Sequence, residues 1–366
     1  MKRIRRIGTI GLLCLWLGLT AFAWLHPPVD ISASERRKLA HFPDISVQSL
    51  LSGTFTGQFE TYTQDQFPLR DTFRQLKSRF HLQLLGQLDN NDIYLSNGYA
   101  AKIEYPLNTA SLEHATERLN HIYNKYLAES DCEVFLSIIP DKSYYLAESG
   151  GWPTLDYAQL VADVTGAAPW ADYVNLFSAL DLDCYYKTDT HWRQEKLLPA
   201  AYVLWEALDI APLSMGDYKD VAINAPFYGV YRGQAALPMA PETIHTLRNP
   251  LLDASKVFNY ETNSYAAIYD ETKLTSRDLY DVYLSGAAAL QRIENPSAQN
   301  GRELIVFRDS FGSSMVPLLV HGYESVTLVD IRYIAPDILG QFIAFEDQDV
   351  LFLYSTTVLN NSSALK

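Results

Sequence analysis

The sequence predicts an α/β fold built on a mostly parallel β-sheet with helices on both faces. Short apolar runs without charged residues recur along the chain, and such runs are typical of strands that are buried on both faces. The clearest runs cover residues 134–139, 304–307, 326–329 and 350–353, with a weaker candidate at 173–176. Segments with helical spacing separate these runs, and strands that alternate with helices indicate a parallel sheet.

The N-terminus has the pattern of a signal peptide or signal anchor within residues 1–25. An uncharged run over residues 7–25 follows four basic residues, which are Lys2, Arg3, Arg5 and Arg6. A basic start before an apolar run is typical of export signals, and Ala21-Phe22-Ala23 offers a cleavage site. If it stays uncut, the run is long enough to span about 30 Å of hydrocarbon. Both outcomes place the remainder outside the cytoplasm, because the basic end stays inside.

Residues 26–88 are predicted to form a linker and a helical arm. Within 71–85 the apolar residues have helical spacing, and they are Phe73, Leu76, Phe80 and Leu84. We expect this arm to pack onto the main body and to take no part in catalysis.

The main α/β domain is expected over residues 89–366. It starts with a hairpin signal, since Asn97-Gly98 lies between apolar stretches within 90–105. Residues 211–275 are less regular, and we expect a surface insertion with short strands there. Helices are predicted at 111–129, 157–164, 193–208, where Pro199 would cause a kink or restart, and 312–320.

Composition narrows the classes of function. The formal net charge of −14 argues against nonspecific nucleic-acid binding and against a basic membrane-surface patch. The 24 tyrosines suit sugar-contacting surfaces, or equally cores and sheet rims. Beyond Cys14, only Cys132 and Cys184 are present, and either a disulfide between them or two free thiols is compatible with export. No Cys/His spacing suits zinc, so we expect no metal.

Ser310 is the first candidate for chemistry. It follows the predicted strand 304–307 and precedes a predicted helix, and ligands of open α/β sheets bind at the carboxyl ends of strands. A helix start also supplies free N–H groups that can hold a developing oxyanion. The alternative is that Ser310 only caps the helix. Ser313 and Ser314 are rivals, but they fall inside the helix, where a hydroxyl is less free to attack.

His191 and Asp189 could activate such a serine. A serine hydroxyl is a weak nucleophile until a base takes its proton, and histidine has a suitable pKa. In an extended chain residues two apart point to the same side, so the Asp189 carboxylate can reach and orient the imidazole. The alternative for Asp189 is again helix capping. Together the three residue types are those of a nucleophilic hydrolase or acyltransferase.

The motifs that carry these residues resemble the bacterial DHHW family, which is similar to the SGNH-hydrolase-like acetyltransferase domains of alginate O-acetylation proteins. The main matches are Asp189-Thr190-His191-Trp192 and Arg308-Asp309-Ser310-Phe311-Gly312. Supporting matches lie at 35–43, 65–71 and 330–333, so the likeness runs from about residue 34 to about 355.

The resemblance implies Ser310 as nucleophile, His191 as base and Asp189 as the residue that orients it. It also implies a flavodoxin-like three-layer α/β/α sandwich, with no cofactor. Two departures stand out. Thr190 replaces a histidine at the middle position of the motif. Near residues 283–288 related proteins tend to have an asparagine suited to an oxyanion hole, whereas Gly286 and Ala287 offer only backbone donors here.

Three further residues are candidates for substrate contact. Lys142 follows Pro140 at a strand end and could contact an anionic sugar, or it is a solvated surface lysine. Arg232 lies in a Gly- and Tyr-rich loop that could line a cleft. Arg308 directly precedes the expected active-site turn, where a salt bridge is the alternative role.

The sequence thus predicts an extracytoplasmic serine-dependent O-acyltransferase or esterase that acts on a cell-envelope carbohydrate. By resemblance, the acyl donor would come through a membrane-bound O-acyltransferase partner. The alternative is a noncatalytic protein that binds polysaccharide or forms the scaffold of an acylation complex. A lipase-like hydrolase is a weaker hypothesis, because the sequence lacks the Gly-x-Ser-x-Gly motif of the nucleophile elbow.

Overall fold

The computed structural model describes residues 2–366 and divides into two compact units. The first unit runs up to Asn91 and includes Arg232–Met239. The second unit consists of Asp92–Tyr231 and Ala240–Lys366. The predicted division at residue 88 into a helical arm and an α/β domain stays a prediction.

The second unit is built on an eight-stranded sheet. In chain order its strands are β1 (Glu133–Ile139), β2 (Asp172–Tyr173), β3 (Lys256–Asn259), β4 (Ser264–Ala267), β5 (Leu290–Glu294), β6 (Glu303–Arg308), β7 (Ser325–Val329) and β8 (Asp349–Ser355). In space the order is β4-β3-β5-β7-β6-β8-β1-β2. The five adjacent strands β7, β6, β8, β1 and β2 pair in parallel. The other three, β4, β3 and β5, pair antiparallel with one another, and β5 pairs antiparallel with β7. The predicted α/β class with a large, mostly parallel sheet is confirmed.

Strands β3, β4 and β5 form a part of the sheet that the sequence did not reveal. A surface insertion with short strands is expected over 211–275, and β3 and β4 lie in that range, but they pair into the large sheet. Each has only four residues, and polar residues such as Lys256 and Ser264 interrupt the apolar pattern. A separate pair of short strands, Lys219–Ala222 and His245–Arg248, occupies the earlier part of the range.

Both faces of the sheet are buried, and alternation along β6 shows why. Leu304 and Val306 pack in one apolar core, whereas Ile305 and Phe307 pack in another. Successive side chains of a strand point to opposite faces, so the two cores lie on opposite sides of the sheet. A strand of this kind needs apolar residues at every position, which is the run visible in the sequence.

The helices of the second unit only partly follow the predictions. Of the two alternatives at Pro199, a restart is confirmed: a 3₁₀ turn, Gln194–Lys196, precedes a new helix, Leu198–Ala207, with Pro199 in its first turn, where proline is well tolerated. The helix predicted over 312–320 ends at Met315 and gives way to a 3₁₀ turn that contains Pro317, which lacks an amide donor. The α-helices that lie wholly within the second unit are Thr109–Ile122, Ser143–Gly150, Tyr157–Ala167, Leu198–Ala207, Pro250–Ala254, Gly312–Met315 and Thr356–Asn360, and a further one, Val230–Gln234, runs from the second unit into the first.

The hairpin predicted around Asn97-Gly98 is present. Strands Ile93–Ser96 and Tyr99–Lys102 pair antiparallel across these two residues. Asn97 and Gly98 have φ angles of +49° and +80°, as the favoured two-residue hairpin turn requires.

The first unit is helical. After the N-terminal helix Lys2–Leu25 come Val47–Leu51, Thr54–Asp65 and Arg70–Arg79, the last continued by a π-helical turn, Phe80–Leu84. Within the N-terminal helix, Arg5–Ala23 is long and apolar enough to cross a membrane. This is compatible with either a signal or an anchor.

Phe352 offers a test of the two-sided core. Its fully buried ring stacks on Phe307 with centroids 4.7 Å apart, and the edge of Trp170 contacts it. We expect Phe352→Ala to lower the free energy of unfolding by about 3–5 kcal/mol, because it leaves a cavity between packed rings. Urea denaturation measures this. Phe342→Ala, at an exposed ring, should cost much less, and equal costs would contradict the assigned packing.

Candidate active site

Ser310 lies in the turn that follows β6, at the carboxyl end of the strand. The preceding residue, Asp309, shapes this turn because its carboxylate accepts the amide N–H of Phe311 at 3.0 Å and that of Ser355 at 2.8 Å. Ser355 ends the neighbouring strand β8, so Asp309 joins two strand ends. Ser310 is partly exposed, and Phe311 rather than Ser310 occupies the N-cap of the short helix that follows.

Asp189, His191 and Ser310 form a hydrogen-bonded line. His191 Nδ1 lies 2.7 Å from Asp189 Oδ1, and His191 Nε2 lies 2.8 Å from Ser310 Oγ. A carboxylate can only accept, so Nδ1 carries the proton and Nε2 is left to accept from the serine hydroxyl. The arrangement can therefore draw a proton from Ser310.

Asp189 is buried and held by several donors. Its Oδ1 also accepts the amide of His191 at 3.0 Å, and its Oδ2 accepts the amide of Val230 at 2.7 Å. Its hydrogen bonds go to the histidine and to a distant loop. Asp189 does not cap the next helical turn, Gln194–Lys196, because Arg193 is at the N-cap of that turn. The contacts of Asp189 are those of an orienting group.

Gly229 brings that loop against the Asp189 segment. A β-carbon at Gly229 would lie 2.1 Å from the carbonyl carbon of Thr188, so no larger residue fits this approach. The Gly229 amide donates to Thr188 Oγ1 at 3.1 Å. The Gly- and Tyr-rich motif at 228–233 thus has a visible local role in holding Asp189, which sequence reasoning did not assign.

Tyr280 is a second residue that sequence reasoning missed. Its ring stacks on the His191 imidazole with centroids 4.1 Å apart and planes 12° apart. Its hydroxyl lies 2.7 Å from Ser314 Oγ. The stacking limits rotation of the imidazole, but no local pattern around Tyr280 signals it, because the contact joins residues far apart in sequence.

Trp192 connects the histidine segment to the serine segment. Its indole N–H donates to the carbonyl of Phe311 at 3.0 Å and to Ser314 Oγ at 2.7 Å. Gln194 adds a third link, from Nε2 to the carbonyl of Ser314 at 2.8 Å. Ser314 is therefore engaged in buried hydrogen bonds.

Lys142 is buried, which contradicts the expectation of a solvated surface lysine. Its ammonium donates to the backbone carbonyls of Tyr186 at 2.9 Å and of Ala100. It also lies 5.0 Å from the centre of the Tyr231 ring. Desolvation lowers its pKa to about 7, against the opposing attraction of Asp189 and other carboxylates. Lys142 thus braces the chain just before Asp189, and it presents no exposed charge to a sugar.

The remaining substrate-contact candidates have other partners. The sequence offered the Gly286 amide as an oxyanion donor. In the structure this amide donates to the carbonyl of Tyr283 at 3.1 Å and is therefore not free for that role. Arg308 is 1% exposed and donates to Ser313 Oγ and the carbonyl of Asp309, so it supports the turn rather than reaching substrate. Arg232 belongs to the first unit, where its Nε donates to the carbonyl of Met239.

The structure contains no disulfide between the two cysteines of the second unit. Cys132 and Cys184 are free thiols in the structure. Across residues 2–366, no group of three or more His, Cys, Asp or Glu side chains is placed to hold a metal ion.

Comparison with known proteins confirms the resemblance to the DHHW family. The family model described as DHHW protein matches residues 172–329, a range that includes Asp189, His191 and Ser310. Among curated proteins, none matches the sequence.

Two solved structures, a DHHW family protein and PatB1, share the fold. A DHHW family protein from Eubacterium siraeum is 21% identical, with a TM-score of 0.59 over 75% of this chain and 96% of that one. Bacillus cereus PatB1, solved with a sulfonyl adduct, is 18% identical, with a TM-score of 0.57 over 73% of this chain and 97% of that one. The O-acetyltransferase domain of Pseudomonas putida AlgJ is more distant, at 13% identity and a TM-score of 0.47 over 73% and 92% of the two chains.

Trp192→Phe tests the connection between the two segments. The change keeps an aromatic ring but leaves two buried acceptors without their donor, so we expect the free energy of unfolding to fall by about 1–3 kcal/mol. Chemical denaturation measures it. Trp170→Phe is the matched control, because its indole makes one hydrogen bond, to Asn120, at a half-buried position. A cost at Trp192 no larger than at Trp170 would contradict the connecting role.

Lys142→Met tests the buried ammonium through the pH dependence of stability. The pKa of Lys142 is about 7 in the folded chain and near the ordinary 10.5 in the unfolded chain. Between these values the unfolded chain binds more protons, so Lys142 makes the free energy of unfolding rise with pH, by up to about 1.4 kcal/mol per pH unit. Below pH 7 both states are protonated and the slope from this group vanishes.

Urea denaturation at pH 6, 7, 8 and 9 provides the measurement. The slope above pH 7 should be smaller in Lys142→Met than in the wild type, while Lys219→Met, at an exposed position, should keep the wild-type slope. Identical slopes in all three proteins would show that Lys142 titrates as it does in the unfolded chain.

Proposed function

We propose that this chain is an extracytoplasmic serine-dependent O-acyltransferase or esterase that acts on a cell-envelope carbohydrate. The observation that carries the proposal is the hydrogen-bonded line of Asp189, His191 and Ser310, assembled from two segments 119 residues apart. The match of the DHHW family model to the range that contains all three residues supports it.

The proposed mechanism begins with attack of Ser310 Oγ on the carbonyl carbon of an acyl donor. The hydroxyl proton passes to His191 Nε2 as the carbon–oxygen bond forms, and Asp189 stabilises the imidazolium through Nδ1–H. The imidazolium then protonates the leaving group, which leaves an acyl ester on Ser310. A sugar hydroxyl or water gives its proton to His191 and attacks the carbonyl carbon of this ester. The bond to Ser310 Oγ then breaks, the acyl group leaves on the attacking oxygen, and His191 returns the proton to Oγ.

The backbone amide of Ser310 is the candidate donor for the oxyanion. Among the hydrogen bonds of the described residues, the amides of Phe311, Gly312 and Ser313 are all used within the turn, whereas that of Ser310 has no partner. An N–H fixed beside the attacking oxygen can stabilise charge as it develops on the carbonyl oxygen. This donor replaces the role that the sequence suggested for Gly286.

Location and architecture complete the proposal. The apolar helix Lys2–Leu25 supports export or anchoring outside the cytoplasm. A flavodoxin-like three-layer sandwich over 89–366, with 26–88 as linker and helical arm, agrees with the two buried faces of the sheet. A membrane-bound O-acyltransferase that supplies the acyl group is part of the same proposal, and its support is the family resemblance.

A noncatalytic polysaccharide-binding protein or scaffold of an acylation complex is the second candidate. The absence of an asparagine from residues 283–288 favours it, and the amide of Gly286 in this segment is already engaged. In that case the three residues would be a structural remnant without turnover.

Ester hydrolysis by single-residue variants distinguishes the two functions. With p-nitrophenyl acetate, Ser310→Ala and His191→Ala should each lower kcat by about 10³-fold or more, since nucleophile and base act as a unit. Asp189→Asn should lower it by a comparable factor, because an amide can hold the wrong tautomer of the imidazole. Ser149→Ala, at an exposed helical serine, should leave the rate unchanged.

A sulfonyl fluoride gives an independent readout. Ser310 Oγ should form a bond to sulfur with loss of fluoride, and peptide mass spectrometry should find the adduct on Ser310 in the wild type and none in His191→Ala. The noncatalytic alternative would be established by two results together. The wild type would show neither turnover nor adduct, and both the wild type and Ser310→Ala would bind glycans.

A further inference from the structure

Exposed apolar side chains are concentrated in one part of the chain. Among the described side chains, residues 42–88 carry 13 exposed large hydrophobic residues. The far longer stretch 92–366 carries 10, of which six are tyrosines with a polar hydroxyl. An uneven distribution of this kind marks an interaction surface rather than ordinary scatter.

Five of these residues form a stripe along one helix, which we call the arm stripe. The stripe runs along Arg70–Arg79, its N-cap and the π-helical turn Phe80–Leu84. Its members recur every three or four residues, so they lie on one helical face. They are Leu69, Phe73, Leu76, Phe80 and Leu84, with exposed fractions of 65%, 42%, 61%, 46% and 71%.

The other face of this helix is polar and turned into the unit. Arg70 and Arg74 both pair with Glu35, at 2.5 and 3.2 Å, and all three side chains are largely buried. Arg74 also donates to the carbonyls of Gly233 and Gln234, and Ser78 is fully buried. A helix in water normally buries its apolar face and exposes its polar face. Here the polarity is reversed, as expected for a helix whose outer side meets an apolar medium.

A lipid bilayer is the medium that the first unit itself indicates. Trp16, Leu19 and Ala23 of the candidate membrane span line a cavity of about 330 Å³ together with Phe59 and Phe67. Phe67 lies two residues before the arm stripe begins. The stripe is therefore continuous with the part of the unit that contacts the apolar span.

Charge next to the stripe agrees with a membrane surface. Lys77 and Arg79 are exposed on the same helix, although the chain as a whole is strongly acidic. Basic residues beside an apolar face are typical of helices that lie in the plane of a bilayer and contact anionic headgroups. This local surface differs from the basic patch that the overall composition argues against.

We propose that the arm stripe lies in the membrane interface beside the N-terminal span, with its leucine and phenylalanine side chains inserted among the lipids. The helix would lie in the plane of the leaflet that faces away from the cytoplasm. The inference does not depend on acyl transfer at Ser310. It assigns a second, lipid-binding surface to a part of the chain that the family motifs leave without a role.

Site-directed spin labels test this in the full chain. Cys14, Cys132 and Cys184 are replaced by serine, and single cysteines are placed at Leu76 and Phe80 on the stripe. The matched controls are Gln75→Cys, exposed on the same helix away from the stripe, and Glu148→Cys in the second unit. Each protein is reconstituted into vesicles of phosphatidylcholine and phosphatidylglycerol, and circular dichroism checks that the variants fold alike.

We expect labels at 76 and 80 to collide more with oxygen and less with a water-soluble nickel chelate than labels at 75 and 148. The ratio of the two collision rates should differ by about threefold or more, as for side chains buried 5–10 Å into the interface. Equal nickel access at all four positions would overturn the proposal. Spin–spin broadening at 76 and 80 would also overturn it, because it would identify a second copy of the chain as the occupant.

Discussion

The hydrogen bonds of one indole hold the candidate site together. Trp192 is fully buried, and it donates to Phe311 and Ser314, the residues that flank the turn after Ser310. Because Trp192 directly follows His191, fixing its ring also fixes the imidazole relative to the serine. A separation of 2.8 Å between Nε2 and Oγ tolerates little displacement before proton transfer fails. The proposed proton transfer therefore depends on Trp192, which lies outside the Asp189–His191–Ser310 line.

The buried carboxylates of Asp189 and Asp309 also help to fix the geometry of the candidate site. An isolated buried carboxylate is strongly unfavourable in an apolar interior, yet Asp189 receives two backbone amides and the His191 ring. Asp309 uses the same solution with the amides of Phe311 and Ser355, and thereby ties β6 to β8. Each carboxylate offsets its desolvation with donors that also fix a neighbouring residue of the candidate site. Stability and geometry at the site thus come from the same bonds.

The sequence predicts what is local and periodic, and misses what depends on tertiary contact. Strand β6 is visible because burial on both faces demands an unbroken apolar run, and Ser310 follows from its place at the end of that run. Strand β3 is invisible because its four residues include Lys256 and Asn259. The stacking of Tyr280 on His191 and the burial of Lys142 among backbone carbonyls escape prediction for another reason. Both depend on which distant segments of the chain meet.

Periodicity also identifies a helical face without saying which medium that face meets. The spacing of Phe73, Leu76, Phe80 and Leu84 predicts the helix and its apolar side correctly. Within the first unit, ion pairs to Glu35 turn the opposite, polar side of the helix inward, so the apolar side is left exposed. Arginine pairs on the inside and leucines on the outside are the arrangement expected of a helix whose outer side meets lipid. Under the proposed placement, the first unit rests on the bilayer beside the apolar N-terminal helix, so the exposed leucine and phenylalanine side chains meet lipid instead of water.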